Sequence, residues 1–333
     1  MIFSGVLHGV SPGISPVSVM VSQSGTLVLD RENWVTEAGL TLELPQAPEG
    51  RRLKVVNSTT SDLPIFSDGG MLISGISGGF RYSGLRRAVV AAGATAVFLS
   101  SGGEWIVSGA VLTPPDLFAA NLELALPLSV ATGLVDQSPS IRTANGATAG
   151  TAKTVTGFGS AAISTTQSKY YGSSLSLNGT GQYLTASGHT VPGTGDFCYE
   201  GWFNQSSLKD SACLLDTGGG GVGLDSLLIY FSISSLVCYH NGVARININS
   251  VVGVWNHFAL WRSSGVWRMA LNGVVSGTTY SSSANLSSTG FFIGNYVSPS
   301  ATYAFNGSLQ DIRYYQGVAK YGTANFTTPG AIV

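Results

Sequence analysis

Charge is what this chain has least of. Of 333 residues, 16 are Lys or Arg and 17 are Asp or Glu, 10% in all, where soluble domains carry about 25%. The formal net charge is -1, which leaves no electrostatic footprint for nucleic acid or an anionic membrane. The shortage does not mean disorder, because 44% of the residues are hydrophobic and disorder needs low hydrophobicity together with high net charge. Cysteine is scarce too. Cys198, Cys213 and Cys238 each sit in an apolar or alternating run without regular spacing, which excludes a disulfide framework and predicts buried thiols. Three such thiols fit assembly in a reducing cytosol. No apolar run approaches the ~20 residues of a membrane helix. Residues 1–16 hold no Lys or Arg and are broken by Gly5, Gly9 and Pro12, so a signal peptide is not read there. The expectation is a soluble product that reaches the outside of a cell, if it does, by a route other than secretion. The four histidines, His8, His189, His240 and His257, are scattered singly, so neither a Ser-His-Asp arrangement nor metal-ligand spacing emerges from them.

What the chain has in excess is glycine, 44 residues, accompanied by Ser and Thr. Glycine-rich turns between apolar alternations describe an all-β protein, and the length predicts two domains. The stretch that organises the rest is Trp255 to Val274. Phe258 and Leu260 share one parity, then Trp267, Met269 and Leu271 share another, the period of paired strands with one buried face. Asn272-Gly273 supplies the two positive φ angles of a type I′ turn.

Before that hairpin the alternation recurs. Val17, Val19 and Val21, then Thr26 to Leu29, then Leu42 and Leu44 precede Pro45, which ends a strand by removing a donor. Leu53, Val55 and Val56 restart the sheet, Asp68-Gly69-Gly70 turns it, and Val97, Leu99, Trp105 and Val107 bracket a Gly102-Gly103 turn. Arg86 to Ala92 reads as strand because of Val89-Val90 between Gly84 and Gly93. Pro114-Pro115-Asp116 breaks the pattern, and Asp116 is placed to cap a short helix through Ala120, the only helix expected. The organisation that follows is a docking peptide at 1–16, a β-sandwich-like module at 17–110, a linker with a short helix at 111–121, and a second all-β domain at 122–333.

Two resemblances are carried by motifs. Leu44-Pro45-Gln46-Ala47-Pro48-Glu49-Gly50, then Arg52-Leu53-Lys54-Val55-Val56-Asn57, and the closing Gly102-Gly103-Glu104-Trp105 make residues 17–110 similar to a small module of tailed-phage fibres and appendages. That resemblance implies a sandwich-like head that assembles as a homotrimer. From Leu122 onward the order is Lys169-Tyr170-Tyr171-Gly172-Ser173-Ser174-Leu175, Gly195-Asp196-Phe197-Cys198-Tyr199-Glu200-Gly201-Trp202, Trp255-Asn256-His257-Phe258-Ala259 and Phe305-Asn306-Gly307-Ser308-Leu309-Gln310-Asp311. Together these resemble laminin G-like, concanavalin-type jelly rolls. Gly317 to Tyr321 and Asn325 to Pro329 resemble the tail that phage versions carry.

The chemistry legible in the sequence is thin. Arg51, Arg52, Arg86 and Arg87 lie close in sequence to Glu43, Glu49 and Asp68, an ion-pairing face more than a phosphate site. The paired glycines lack the strand-to-helix context and Gly-Lys-Ser/Thr of a phosphate loop. A glycoside hydrolase needs two carboxylates ~5 to 9.5 Å apart over one groove, and Glu200 has no acidic partner within several residues, so it reads as a structural sheet residue and the protein as no enzyme. Asp216 and Asp225 flank Gly218-Gly219-Gly220-Gly221 and are the candidate calcium ligands, against the alternative of a flexible turn. Asn295, Tyr296 and Tyr303 are the candidate glycan contacts, aromatic faces beside an amide, with Trp267 also considered; packing across a subunit boundary is the alternative. The resemblances imply a virion structural protein, assembled in the host cytoplasm, partnered by itself and by other virion proteins. Either its jelly roll touches host-surface glycan, as in a tail fibre, or it only packs, as in a capsid-decorating or neck protein; a polysaccharide-degrading enzyme is the remote third.

Overall fold

The computed structural model describes residues 18–331 apart from 41, 62, 68–70, 78–79, 86, 113–115 and 146. The docking peptide, the Asp68-Gly69-Gly70 turn, Arg86 and Pro114-Pro115 lie outside the described residues. Contacts divide the chain into two units, 1–116 and 117–333.

The first unit runs β1 (Ser18–Val21), β2 (Gly25–Thr26), β3 (Glu32–Val35), β4 (Leu42–Leu44), β5 (Arg52–Asn57) and β6 (Leu63–Ser67). It continues with β7 (Leu72–Ser77), β8 (Phe80–Leu85), β9 (Arg87–Val90), β10 (Thr95–Ser101), β11 (Glu104–Ser108) and β12 (Val111–Leu112). Among the described residues these form one sheet in the order β1-β3-β5-β10-β11-β7-β8 and a second in the order β12-β9-β6-β4-β2. From β1 to β6 the chain visits the two sheets alternately, so spatial neighbours run parallel: β1 with β3, β3 with β5, β2 with β4, β4 with β6. Consecutive strands pair antiparallel at β7 with β8 and at β10 with β11, and between the latter two Gly102 and Gly103 take φ of 62° and 78°. The core between the sheets follows the alternation: Leu53 and Val55, Ala96 and Phe98, Trp105 and Val107 point inward.

The two motifs that carry the fibre-module resemblance touch. Trp105 Nε1 donates to the carbonyl of Pro45 at 3.0 Å, and Glu49 accepts from Gly102 N at 2.8 Å and from Ser101 Oγ at 2.9 Å. Glu49 therefore caps a hairpin, while Arg51 pairs with Asp30 and Lys54 with Glu32. Asn57 is buried with its Nδ2 donating to the carbonyls of Ser61 and Val90, both at 2.9 Å, so its Asn-Ser-Thr sequence is a turn brace.

The second unit begins with a single 3-10 turn, Ala119–Asn121, preceded by Phe118 with no side-chain cap. The helix expected from Asp116 is thus one turn only. A seven-residue α-helix, α1 (Ser138–Ala144), forms where none was expected. Pro139 starts it, because a missing N–H costs nothing there. Buried Asp136 fixes its entry, accepting from Ser138 N and from Ala125 N at 2.9 Å and from Lys153 N at 2.8 Å.

The strands of this unit are β13 (Leu122–Leu126), β14 (Thr154–Phe158), β15 (Ala162–Ser164), β16 (Ser174–Asn178), β17 (Tyr183–Ser187), β18 (Phe197–Gln205), β19 (Cys213–Asp216) and β20 (Leu227–Ser232). They continue with β21 (Ser235–His240), β22 (Val243–Asn249), β23 (Asn256–Ser263), β24 (Val266–Leu271), β25 (Val274–Val275), β26 (Tyr280–Ser281), β27 (Phe292–Ile293) and β28 (Asn306–Gln316). A front sheet has the order β14-β17-β27-β19-β20-β21-β22. A back sheet has the order β15-β16-β28-β18-β23-β24-β25, with β13 on β28 and β26 on β24. Between them lie Leu177, Phe197, Phe203, Ile229, Phe231, Phe258, Trp267, Met269 and Ile293. The type I′ turns stand where the sequence places them: Asn241-Gly242 at φ 51° and 71°, Asn272-Gly273 at 51° and 78°.

The central hairpin departs from the expected single buried face. Not one face of β23 is buried but both, and every residue of β18 is buried as well. The cause is a third layer. The C-terminal segment after Gln316 lies along the back sheet, with Val318, Ala319, Tyr321 and Phe326 packed on Cys198, Ala259, Trp261 and Tyr315.

Candidate functional site

The front sheet carries a cleft on its outer face. In β20 the side chains of Leu227, Ile229 and Phe231 enter the core, as do Leu236 and Cys238 of β21, so period-two alternation turns Leu228, Tyr230, Val237 and Tyr239 outward. The register pairs Leu228 with Tyr239 and Tyr230 with Val237, which sets the two tyrosines diagonally. Their rings meet edge to face with centroids 5.9 Å apart. The loop after β27 delivers two more: Tyr296 and Tyr303 lie with centroids 4.8 Å apart at 42°. Tyr303 is anchored by its carbonyl, which accepts from Cys213 N at 2.8 Å. Lys209 fastens the same loop, its ammonium donating to the carbonyls of Gly179, Ala301 and Ala304 at 2.8, 2.6 and 2.8 Å. The four tyrosines, with Ser211, Cys213, Gly220, Val222 and Leu228, enclose an open concavity of about 260 Å³.

Asp216 explains the glycine loop beside it. The carboxyl is fully buried and accepts from Gly218 N at 2.8 Å, Gly220 N at 3.0 Å and Val297 N at 2.8 Å. One acid thus folds the loop back on itself and ties it to the tyrosine-bearing loop. Burial raises its pKa while the N–H donors work against that rise. Two of the glycines are there for lack of room. A Cβ on Gly220, at φ 62°, meets the Tyr296 hydroxyl, and one on Gly221, at φ 65°, meets the carbonyl of Tyr239.

The two candidate calcium ligands are not brought together as a ligand shell. Asp216 is turned into the loop's own N–H groups, and Asp225 is exposed, with its backbone carbonyl accepting from Ser288 N at 3.0 Å. Among the described residues no three His, Cys, Asp or Glu side chains gather as a metal site requires. Of the glycan candidates, Tyr296 and Tyr303 line the cleft, whereas Asn295 is buried behind them, its Oδ1 accepting from Tyr296 N at 2.9 Å and Ser300 N at 3.3 Å. Trp267 is buried in the core, its Nε1 donating to the carbonyl of Ser282 at 2.9 Å. Tyr230 and Tyr239 complete the cleft and went unnoticed in the sequence. Their signal was the outward parity beside Ile229 and Cys238, which has meaning only once the buried face is known.

A second constellation lies on the back sheet under the C-terminal segment. Fully buried Glu200 accepts from Lys320 Nζ at 2.7 Å, from Arg313 at 3.3 Å and from the Tyr321 hydroxyl, and His257 Nε2 stands 3.8 Å away. Arg313 also donates to Asp311 at 2.5 Å and to the carbonyl of Gly330 at 2.7 Å. Burial pushes the Glu200 carboxyl up, yet the Lys320 and Arg313 charges outweigh it and hold the pKa at about 2. Burial takes His257 down to about 3 despite Glu200, and the rings it meets are Trp202 and Phe326. Glu200 does have an acidic neighbour, Asp311, which the chain brings in from more than a hundred residues away. Both acids are bound to Arg313 and roofed over, so the ensemble fastens the tail and opens no groove.

Residues 178–320 match the model of a family described as the concanavalin A-like lectin/glucanases superfamily, a laminin G type. No curated protein matches the chain. Among solved structures, the binding domain of botulinum neurotoxin serotype D/C is similar at 12% identity and a TM-score of 0.44, over 61% of this chain and 50% of that one. The serotype D binding domain gives 9%, 0.45, 61% and 50%. Domain 4 of AbnA, a GH43 extracellular arabinanase from Geobacillus stearothermophilus solved with arabinotriose, gives 18%, 0.42, 60% and 95%. The chain spans about half the length of the neurotoxin binding domains it matches. The second unit is a laminin G-like, concanavalin-type jelly roll.

Proposed function

We propose that this chain is a structural protein of a tailed-phage virion, of tail-fibre or other appendage type, whose jelly roll binds host-surface glycan in the tyrosine cleft without cleaving it. The observation that carries the binding role is the cleft: four half-exposed tyrosines, two on an outward sheet face and two on the loop beside it, held by Asp216, Lys209 and a loop whose glycines admit the rings. Aromatic walls with a few polar groups are what sugar and other small-ligand sites present. The family matched by residues 178–320 is described by lectins and glucanases, and burial of Glu200 under the tail supports the non-cleaving member of that pair. The virion role rests on the motifs of the first unit, whose Leu-Pro loop and Gly-Gly-x-Trp turn interlock. Homotrimer formation through that unit is supported by the exposed Met20, Trp34, Val97 and Ile106 on the outer face of its larger sheet.

Binding of the full chain to host cells and to purified surface polysaccharide tests the glycan role. Wild type binds and Tyr303→Ala, folded by circular dichroism, loses most of the signal. A well-folded wild-type sample that binds neither material overturns the reading. Labelled virions test the placement, since signal spread evenly over the head contradicts an appendage.

A further inference from the structure

We propose that the tyrosine cleft selects a cationic substituent, a quaternary ammonium group carried on the surface glycan. This rests on the cleft being the glycan site and names the part of the ligand that the cleft reads.

Four observations lead there. The walls are aromatic: Tyr230, Tyr239, Tyr296 and Tyr303 supply them in two inclined pairs, at 86° and 42°. Aromatic faces carry the negative pole of the ring quadrupole and attract a cation lying within about 6 Å of their centroids. A concavity of about 260 Å³ lies just below the usual range of ligand clefts, about 300–1,000 Å³, a size for one small headgroup and not for a chain of sugars.

The charged groups next to those rings are two carboxylates and one ammonium. Asp210 precedes Ser211 in the lining, and Asp216 lies under the loop that bears Gly220. Both act on the phenols in the same sense. Burial raises Tyr230 and Tyr296, and Asp210 pushes the first and Asp216 the second further up. The neighbouring ammonium, Lys209, is taken up by three backbone carbonyls. No Lys, Arg, Asp or Glu is among the residues that line the cleft, so a phosphate or carboxylate finds no counter-charge there, whereas a cation meets the rings and, behind them, the carboxylates that act on Tyr230 and Tyr296.

The polar inventory is also short. Phenol hydroxyls and Ser211 Oγ are what the lining side chains offer, since the Asp216 oxygens already hold the loop. A neutral sugar presents many hydroxyls that each lose a water partner on entry. A methylated ammonium presents none, and its apolar methyl shell with diffuse positive charge suits aromatic walls.

The test is titration of the full chain, by calorimetry, with choline and with its neutral carbon isostere 3,3-dimethylbutan-1-ol. Choline binds about 10-fold tighter than the isostere, and Tyr296→Leu and Tyr239→Leu each weaken choline about 10-fold while thermal unfolding stays cooperative. Equal binding of the two probes overturns the inference. A neutral polysaccharide that binds at the cleft while choline does not leaves the glycan role standing and sinks the cationic selection. Choline binding without any glycan binding supports the selection and sinks the glycan role.

Discussion

Lys320 Nζ lies 2.7 Å from Glu200 Oε1, a bond that joins the final segment of the chain to the middle strand of the back sheet. Around it Arg313, Tyr321 and His257 close on the same carboxylate. This cluster, with the rings of Tyr321 and Phe326, makes the tail a structural layer.

Glu200→Gln keeps the shape of the side chain and removes its charge, leaving half-buried Lys320 and part of buried Arg313 without compensation. The expected loss is about 3–5 kcal/mol, the usual result of breaking a buried pair from one side. Urea unfolding measures it, and a midpoint within error of wild type means that the cluster does not hold the tail.

Acid destabilises the protein in two overlapping windows. Glu200 has its pKa at about 2 in the fold against 4.5 unperturbed, so its contribution is complete above about 4.5 and disappears as pH falls toward 2. His257 has its pKa at about 3 against 6.5; the unfolded chain takes up a proton below 6.5 that the fold refuses, so stability again falls with pH. Burial lowers His189 and His240 as well, which adds to the same slope. Unfolding free energies between about pH 6.5 and 4.5 should drop for wild type, and His257→Gln should flatten the slope by up to about 1.4 kcal/mol per pH unit. A variant with the wild-type slope contradicts the assignment.

Gly220→Ala puts a methyl against the Tyr296 hydroxyl at a backbone φ of 62°. We expect about 1–3 kcal/mol of strain and displacement of Tyr296, so that ligand binding falls while the core persists. Binding data and near-ultraviolet circular dichroism together decide it; undiminished affinity shows that Tyr296 is not a wall of the site.

Phe326→Ala removes a ring stacked on Tyr321 at 3.7 Å and 11° and edge-on to Trp261. About 2 kcal/mol should be lost, with faster proteolysis after Gly317. Unchanged cleavage of the tail argues that the polar cluster alone secures it.

The hairpins of this protein have local causes, and the pairing of its strands has distant ones. Asn241-Gly242, Asn272-Gly273 and Gly102-Gly103 fix their own backbone angles, so these hairpins were legible from a handful of residues. Alternation likewise gave the strands of both units. It did not reveal that β1 to β6 pair in parallel, because nothing in Val19, Leu42 or Val55 records which strand lies beside it. The short helix at Ser138–Ala144 escaped for a related reason, since seven residues carry barely two turns of periodicity and Asp136 fixes the entry through partners at Ala125 and Lys153.

The site divides the same way. Tyr296 and Tyr303 stood out by composition of their loop, and Asp216 by its glycines, yet the part each plays depends on partners far along the chain. The sequence by itself determined a charge-poor, turn-punctuated β protein with a jelly roll behind its second half, because turn angles and side-chain parity are local properties. Only the tertiary structure decided that Tyr230 and Tyr239 face the same hollow as Tyr296, that Asn295 stands behind it, and that Glu200 is sealed beneath the tail. Which face of a strand is covered depends on what packs there, and the covering segment can come from the other end of the chain.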